Sequence, residues 1–482
     1  MWLSLDRISP SGRDALARLG ELTGPEQGAW LVGGALRELL SGGSAADLDV
    51  AVTRGALDLG RRLADRLGAR FVVLDAGRGA CRLVGRPGTV TLDLVDLRAP
   101  TLAGDLRGRD FSVNALAVAV SDLLAGGRAE VADPTGGLDD LRERIVRPCG
   151  PSTVSDDPLR ALRGVRLAMR PGWRLHPSAE VAIRAAAPLL PAVAPERVRN
   201  ELVGLLTEPN AAAGLRALDR LGVLAALLPE SVPMRATSQS LPHRFDVWEH
   251  SLRAVEAMDA LLVSLDALVP WGPALRAHLA EDLGDGLSRR EALKLAALLH
   301  DVAKPERRTD EAGRIRFIGH DAAGAVRVVA IAARLRLSRR ASRVLERLVA
   351  EHLRPMHLAL AGEITRRARF RFARALGGDV WDLLLLTLAD AAGVAGDSPL
   401  AVWSGPGGEV VRTLMAGVEA EATAAAAPAL LRGEDVMEVF GLPPGPAVGR
   451  LLTRAREAQA LGLVATREEA LVYLRREGGS ST

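Results

Sequence analysis

The chain has 482 residues, enough for several domains at roughly 150 residues each. Apolar residues at 48% and charged residues at 25% are ordinary for a packed globular protein and exclude a disordered one. A formal net charge of +3 excludes one overwhelming basic field, so affinity for nucleic acid must come from local clusters of the chain's arginines. The opening MWLSLDRISP lacks the basic-then-apolar pattern of a leader, and apolar runs such as LLLLTLAD (383–390) are short or hold an acid. These features predict a cytoplasmic protein with no membrane partner. Cys81 and Cys149 make neither a disulfide framework nor a metal-ligand spacing.

In chain order, the first informative stretch is LVGGALRELLSGGSAADLDVAV (31–52). Gly33 and Gly34 follow an apolar run and open a helix, where backbone N–H groups can approach a phosphate at the positive end of the helix dipole. Asp47 and Asp49 then lie two apart in DLDVAV, which reads as a strand, so both carboxylates share one face. Two hard oxygen ligands side by side suit Mg²⁺, which also takes substrate phosphates as ligands. The runs FVVLD (71–75), CRLVG (81–85) and VTLDLVDL (90–97) add further strands, predicting an α+β domain on a small sheet over residues 1–150.

This order of glycine turn, helix and paired aspartates resembles the polymerase β-like nucleotidyltransferases. More narrowly, it resembles the class II tRNA nucleotidyltransferase and poly(A) polymerase family. The similarity continues through DLRGRDFSVNALAV (105–118), DPTGGLDDLRERIVR (133–147), DDPLRALRGVRLAM (156–169), ERVRNELVGLL (196–206) and GEDVMEVFGLPPGPAVGRLL (433–452), nearly the full chain. The resemblance implies template-free addition of nucleotides to a tRNA 3′ end, with Mg²⁺ ions on Asp47 and Asp49 and CTP, or CTP and ATP, as donors. It implies a triphosphate contact for Arg37, one helical turn past the glycines. Arg109 and Asp110 fall where the family's Arg-Arg-Asp motif meets sugar and phosphates; the first arginine of that motif is Gly108 here.

DDPLR (156–160) matches the family's Glu-Asp-x-x-Arg motif with Asp156 in place of Glu. Read as one helix over 156–169, it puts Asp157 and Arg160 on the same face. A carboxylate only accepts hydrogen bonds and a guanidinium only donates. Opposite an exocyclic amino group and a ring nitrogen, the pair matches cytosine and adenine and mismatches uracil and guanine. Arg163, a turn further on, is expected to support the triphosphate or brace Asp157. Between Arg98 and Arg109 lies only a short segment, APTLAGDLRG, where CCA-adding relatives usually carry a longer flexible one. That points to a CC-adding enzyme, with full CCA addition, poly(A) synthesis, or a phosphohydrolase with a tRNA-docking head as alternatives.

Helical periodicity runs nearly to the end of the chain. A helical neck is expected over 151–235, with 231–243 as a linker, and a helical tRNA-binding tail over 408–482. The tail ends in GGSST, which has the composition of a disordered end. The intervening 240–403 resembles an HD-type metal phosphohydrolase. The similarity rests on DVWEHSL (His250), LLHDVAKP (His300, Asp301), IGHDAAGA (His320), AEHLRP (His352) and LADAAG (Asp390). It implies a divalent transition metal such as Mn, Ni, Fe or Co on these six residues, and Lys304 as a phosphate contact. His278 and His357 fall outside the pattern and are expected at the surface.

Overall fold

The computed structural model describes residues 1–24, 27–311 and 313–478; GGSST lies, past Gly478, outside them. The chain divides into two compact units, residues 1–201 with 217–227, and residues 202–216 with 228–482.

The first unit is α+β. Its six-stranded sheet runs, in spatial order, Arg70–Asp75, Ala80–Val84, Thr91–Asp96, Asp47–Val52, Ala29–Val32 and Ala117–Ala119. Four of the five pairings are antiparallel; Asp47–Val52 and Thr91–Asp96 run parallel, so the sheet is mixed. Alternation explains the central strand. Leu48 and Val50 are buried in the main core beside Leu36, Leu59 and Leu94, and the intervening Asp47 and Asp49 face the other way. The strands expected at 71–75, 81–85 and 90–97 form, to within two residues at any end.

Downstream the unit is helical, with Thr153–Asp156, Arg160–Ala168 and Pro177–Ala186 among its helices, and it holds the first half of the helix Pro195–Thr207. The single helix expected over 156–169 does not form. Asp157 is extended, at φ −141° and ψ 95°, between the first two of these helices. Pro158 is the physical reason, because its ring disfavours the helical conformation for the residue before it. Asp157 and Arg160 are therefore not neighbours on one helix face.

The second unit is built on helices. Val247–Val263, Arg289–Leu299 and Val380–Ala395 bury almost continuous runs of Leu and Ala, and His320–Arg334 packs with Arg339–Glu351. A separate apolar cluster, Leu431, Val436, Val448, Ala458 and Leu474, holds the C-terminal helices together. The segment expected as a linker is partly helical, at Ser231–Arg235. Among the described residues no helix is long and apolar enough to cross a membrane.

Candidate functional sites

In the first unit, the turn between Ala29–Val32 and the helix Gly33–Leu40 meets the start of strand Asp47–Val52. Gly33 has φ +70°, and a Cβ there would lie 2.9 Å from Asp49 Oδ2. The turn therefore requires glycine on two counts, conformation and space. Gly34 is less constrained, since a Cβ there would make only ordinary contacts. The Ala35 N–H donates to Asp49 Oδ2 at 3.3 Å, tying the helix start to the carboxylate. Asp47 is exposed and Asp49 half-buried. Burial raises the Asp49 pKa above the usual carboxylate range, with Asp93 and Asp47 adding to the rise and Ala35 N–H and Arg109 opposing it. Asp93 is the register partner of Asp49, and Arg82 holds it through two 2.7 Å hydrogen bonds. A divalent cation on Asp47 and Asp49 would relieve the crowding of negative charge, so the donor set fits Mg²⁺.

Arg109 stands close enough to act on Asp49 and is anchored by its Nη2, 3.0 Å from the buried Asp105 carboxylate. Arg37 does not reach outward as a triphosphate contact. It is buried, donating to Asn114 Oδ1 and, at 2.9 Å, to Glu38 Oε1, and it braces the helix behind the glycine turn. Asp110 also points inward, accepting from Phe111 N–H at 2.8 Å, Asn114 Nδ2 at 3.1 Å and Arg163 Nη1 at 3.1 Å. Burial opposes its ionisation, but Arg163 and these donors prevail and hold its pKa below the ordinary range. Arg163 bridges Asp110 and Glu201 and does not brace Asp157.

Asp157 and Arg160 do come together, across the wall of one cleft. Its volume is about 1080 Å³, and Arg54, Arg78, Arg98 and Arg197 also line it. Arg160 Nη1 and Nη2 donate to the backbone carbonyls of Thr153, Gly108 and Arg109 at 3.2 to 3.5 Å. The short segment after Arg98 is itself pinned. It forms the helix Leu102–Arg107, and Asp105 Oδ1 accepts the Arg98 N–H at 3.0 Å.

In the second unit all six HD-pattern residues converge, and they form two groups. His250, His300 and Asp390 make one; Asp301, His320 and His352 make the other, each with ligand atoms within 4.8 Å of one another. Asp301 stands between them. Its Oδ2 lies 3.2 Å from His300 Nε2 and 3.5 Å from His250 Nε2, and its Oδ1 lies 3.2 Å from His320 Nε2. His300, His320 and His352 each donate Nδ1–H to a backbone carbonyl three residues earlier, at 2.7 to 2.9 Å. A carbonyl only accepts, so the tautomer is set and every Nε2 lone pair points into the cluster. Both Asp301 oxygens are buried without a hydrogen bond of regular geometry. A buried carboxylate among converging imidazole Nε2 atoms fits divalent metal.

Two neighbours, His243 and Gln239, escaped the sequence reading. His243 stacks edge-on against His250, with ring centroids 5.3 Å apart. Gln239 accepts from Lys304 Nζ at 2.8 Å, and Lys304 Nζ lies 2.6 Å from Asp301 Oδ2. The expected linker thus supplies part of this site's wall. His278 is not a free surface residue, since its Nε2 lies 2.8 Å from the buried Asp382.

Family models agree with this division of labour. That described as "Poly A polymerase head domain" matches residues 29–147, "Probable RNA and SrmB- binding site of polymerase A" matches 172–234, and "HD domain" matches 247–376. An A-adding tRNA nucleotidyltransferase of Deinococcus radiodurans is 36% identical over 456 residues, covering 93% of this chain and 95% of its own. A CC-adding tRNA nucleotidyltransferase of Thermus thermophilus is 37% identical over 458 residues, covering 92% and 93%. One from Geobacter sulfurreducens is 31% identical, covering 96% and 94%. Among solved structures, a Thermotoga maritima CCA-adding enzyme complexed with tRNA shares the fold at TM-score 0.62 and 20% identity, covering 99% of both chains. A CCA-adding enzyme in complex with ATP does so at TM-score 0.67 and 19% identity, again over 99% of both. With similarity to curated enzymes along nearly its whole length, this chain belongs to the tRNA nucleotidyltransferase family and carries an HD domain.

Proposed function

We propose that this protein adds cytidine to tRNA 3′ ends without a template, in the cytoplasm, from CTP. The observation that carries the reading is the contact between Gly33 and Asp49, which joins a phosphate-type glycine turn to a metal-type carboxylate. Mg²⁺ bound at Asp47 and Asp49 would neutralise triphosphate charge and favour ionisation of the attacking hydroxyl. Apart from the Ala35 N–H, which Asp49 takes, the N–H groups opening the helix Gly33–Leu40 have no partners within the helix and suit phosphate oxygens. Arg109, held by Asp105, adds positive charge beside Asp49. Asp110, Arg37 and Arg163 act from behind, keeping these elements in register. Asp157 would accept a hydrogen bond from the cytosine amino group and Arg160 would donate to the ring nitrogen. Uracil in the same place would leave buried polar groups unpaired, at about 1–3 kcal/mol each.

Restriction to cytidine rests on the pinned segment from Arg98 to Arg109. With Asp105 fastening both ends, the wall of the pocket has little freedom to reshape from one base to another. Terminal adenosine addition is the second reading, favoured by the 36% identity with the A-adding Deinococcus relative. The test supplies CTP and ATP separately to tRNA lacking its CCA and to tRNA ending in CC, and sequences the products. Two added cytidines and no adenosine support the first reading; adenosine added to the CC-ended tRNA establishes the second.

For the HD domain we infer a metal-dependent phosphohydrolase acting on phosphomonoesters or cyclic phosphodiesters, such as those at damaged RNA 3′ ends. Two ligand groups, one of them holding Asp301, support a pair of divalent ions. Lys304 neutralises one Asp301 oxygen and would lie near a substrate phosphate. Hydrolysis of 2′,3′-cyclic nucleotides with Mn²⁺, Ni²⁺, Co²⁺ or Fe²⁺ tests it. No turnover with any of the four would leave the metal a structural part.

A further inference from the structure

Asp157 and Arg160 are held in unlike ways. The Arg160 guanidinium rests on three backbone carbonyls, which no side-chain rotation can remove. The Asp157 carboxylate, on an extended residue outside any helix, takes Arg197 Nη2 on its Oδ2 at 2.8 Å. Arg197 comes 40 residues later, in the helix Pro195–Thr207, and its side chain lines the same cleft. From these contacts we propose that Arg197 is the positioning residue that sets Asp157 for base discrimination. The inference rests on the base-reading role given above to Asp157 and Arg160.

The physical argument concerns the wrong nucleotide more than the right one. With Oδ2 occupied by Arg197, Oδ1 is left to accept from an exocyclic amino group. Cytosine presents that donor and gains a hydrogen bond whether or not Asp157 is fixed. Uracil presents a carbonyl oxygen there, and two acceptors face each other. A carboxylate free to rotate about its side-chain bonds would turn away and relieve the repulsion. One tethered by Arg197 cannot, so the mismatch persists. Selectivity of this kind comes from the repulsive element as much as from the attractive one. The ion pair is half-exposed, 52% for the Arg197 side chain and 26% for Asp157, so it contributes little to folding and its removal leaves the unit intact.

The test measures kcat/KM for CTP and for UTP on tRNA lacking CCA, with wild type, Arg197→Ala, Arg197→Lys and Asp157→Ala. Arg197→Ala is expected to lower the CTP-to-UTP ratio by about tenfold, chiefly through gain with UTP, and Arg197→Lys to restore part of it. An unchanged ratio in Arg197→Ala, while Asp157→Ala loses its discrimination, overturns the positioning role and leaves base reading standing. An equal loss with both nucleotides in Arg197→Ala also overturns it, because it describes a triphosphate contact or a structural part. Full discrimination in Asp157→Ala overturns the base-reading role itself.

Discussion

The two candidate metal sites are built on opposite plans. In the head, two carboxylates stand at the start of one strand, Asp47 exposed and Asp49 half-buried, and together they supply too few ligands to enclose an ion. In the HD domain, six candidate ligands arrive from three helices and from the turns that end two others. All but Asp390 are buried, and three of the imidazoles are locked by their own backbone. An open pair needs substrate phosphates to complete its shell, whereas a closed cage can hold its metal alone. The first arrangement suits a site that must admit a fresh nucleotide at every turn; the second suits a resident cofactor.

The comparison breaks most directly at its ligands. Asp47→Ala or Asp49→Ala should lower nucleotide incorporation by about a thousandfold or more while leaving the metal content of the HD domain unchanged, as read by elemental analysis. His300→Ala should do the reverse, abolishing bound transition metal and lowering the melting temperature of the second unit, with incorporation largely kept. Brief chelator treatment should silence incorporation until Mg²⁺ returns, and the HD metal should survive it; co-loss of both would mean the cage is open.

A smaller effect sharpens the head. Burial opposes ionisation of Asp110, but Arg163 and its other donors leave its pKa depressed in the folded protein. A depressed carboxyl contributes stability above its unfolded pKa, and that stability is lost as pH falls through the folded one. Denaturant midpoints of the wild type should therefore fall more steeply than those of Asp110→Asn as pH drops below about 4. Equal slopes would mean that Arg163 does not hold the Asp110 charge.

Much of this was legible in the amino-acid order, because the information is local. Alternation in DLDVAV, with Leu48 and Val50 inward, is enough to put Asp47 and Asp49 on one face. Pro158 was equally visible and argues against a helix through Asp157, a local rule outweighed in reading by the apolar spacing that follows. Partnerships across the fold were not legible. Arg37 meets Asn114 from 77 residues away, so a residue spaced for a phosphate turns out buried. His243 carries no motif of its own, and only the packing of its segment brings it to His250. The division of the six HD ligands about Asp301 is likewise a property of helix packing, not of spacing.

The most direct measurement is the linkage between Mg²⁺ and CTP in a protein competent for both. Titrating CTP with and without the metal, in wild type and in the Asp47→Asn, Asp49→Asn double variant, reads whether the nucleotide completes the site. The account predicts that Mg²⁺ tightens CTP binding in the wild type, that CTP tightens Mg²⁺ by the same factor, and that the double variant loses both effects. Equal CTP affinity with and without Mg²⁺ in the wild type, or an undiminished linkage in the double variant, would contradict it.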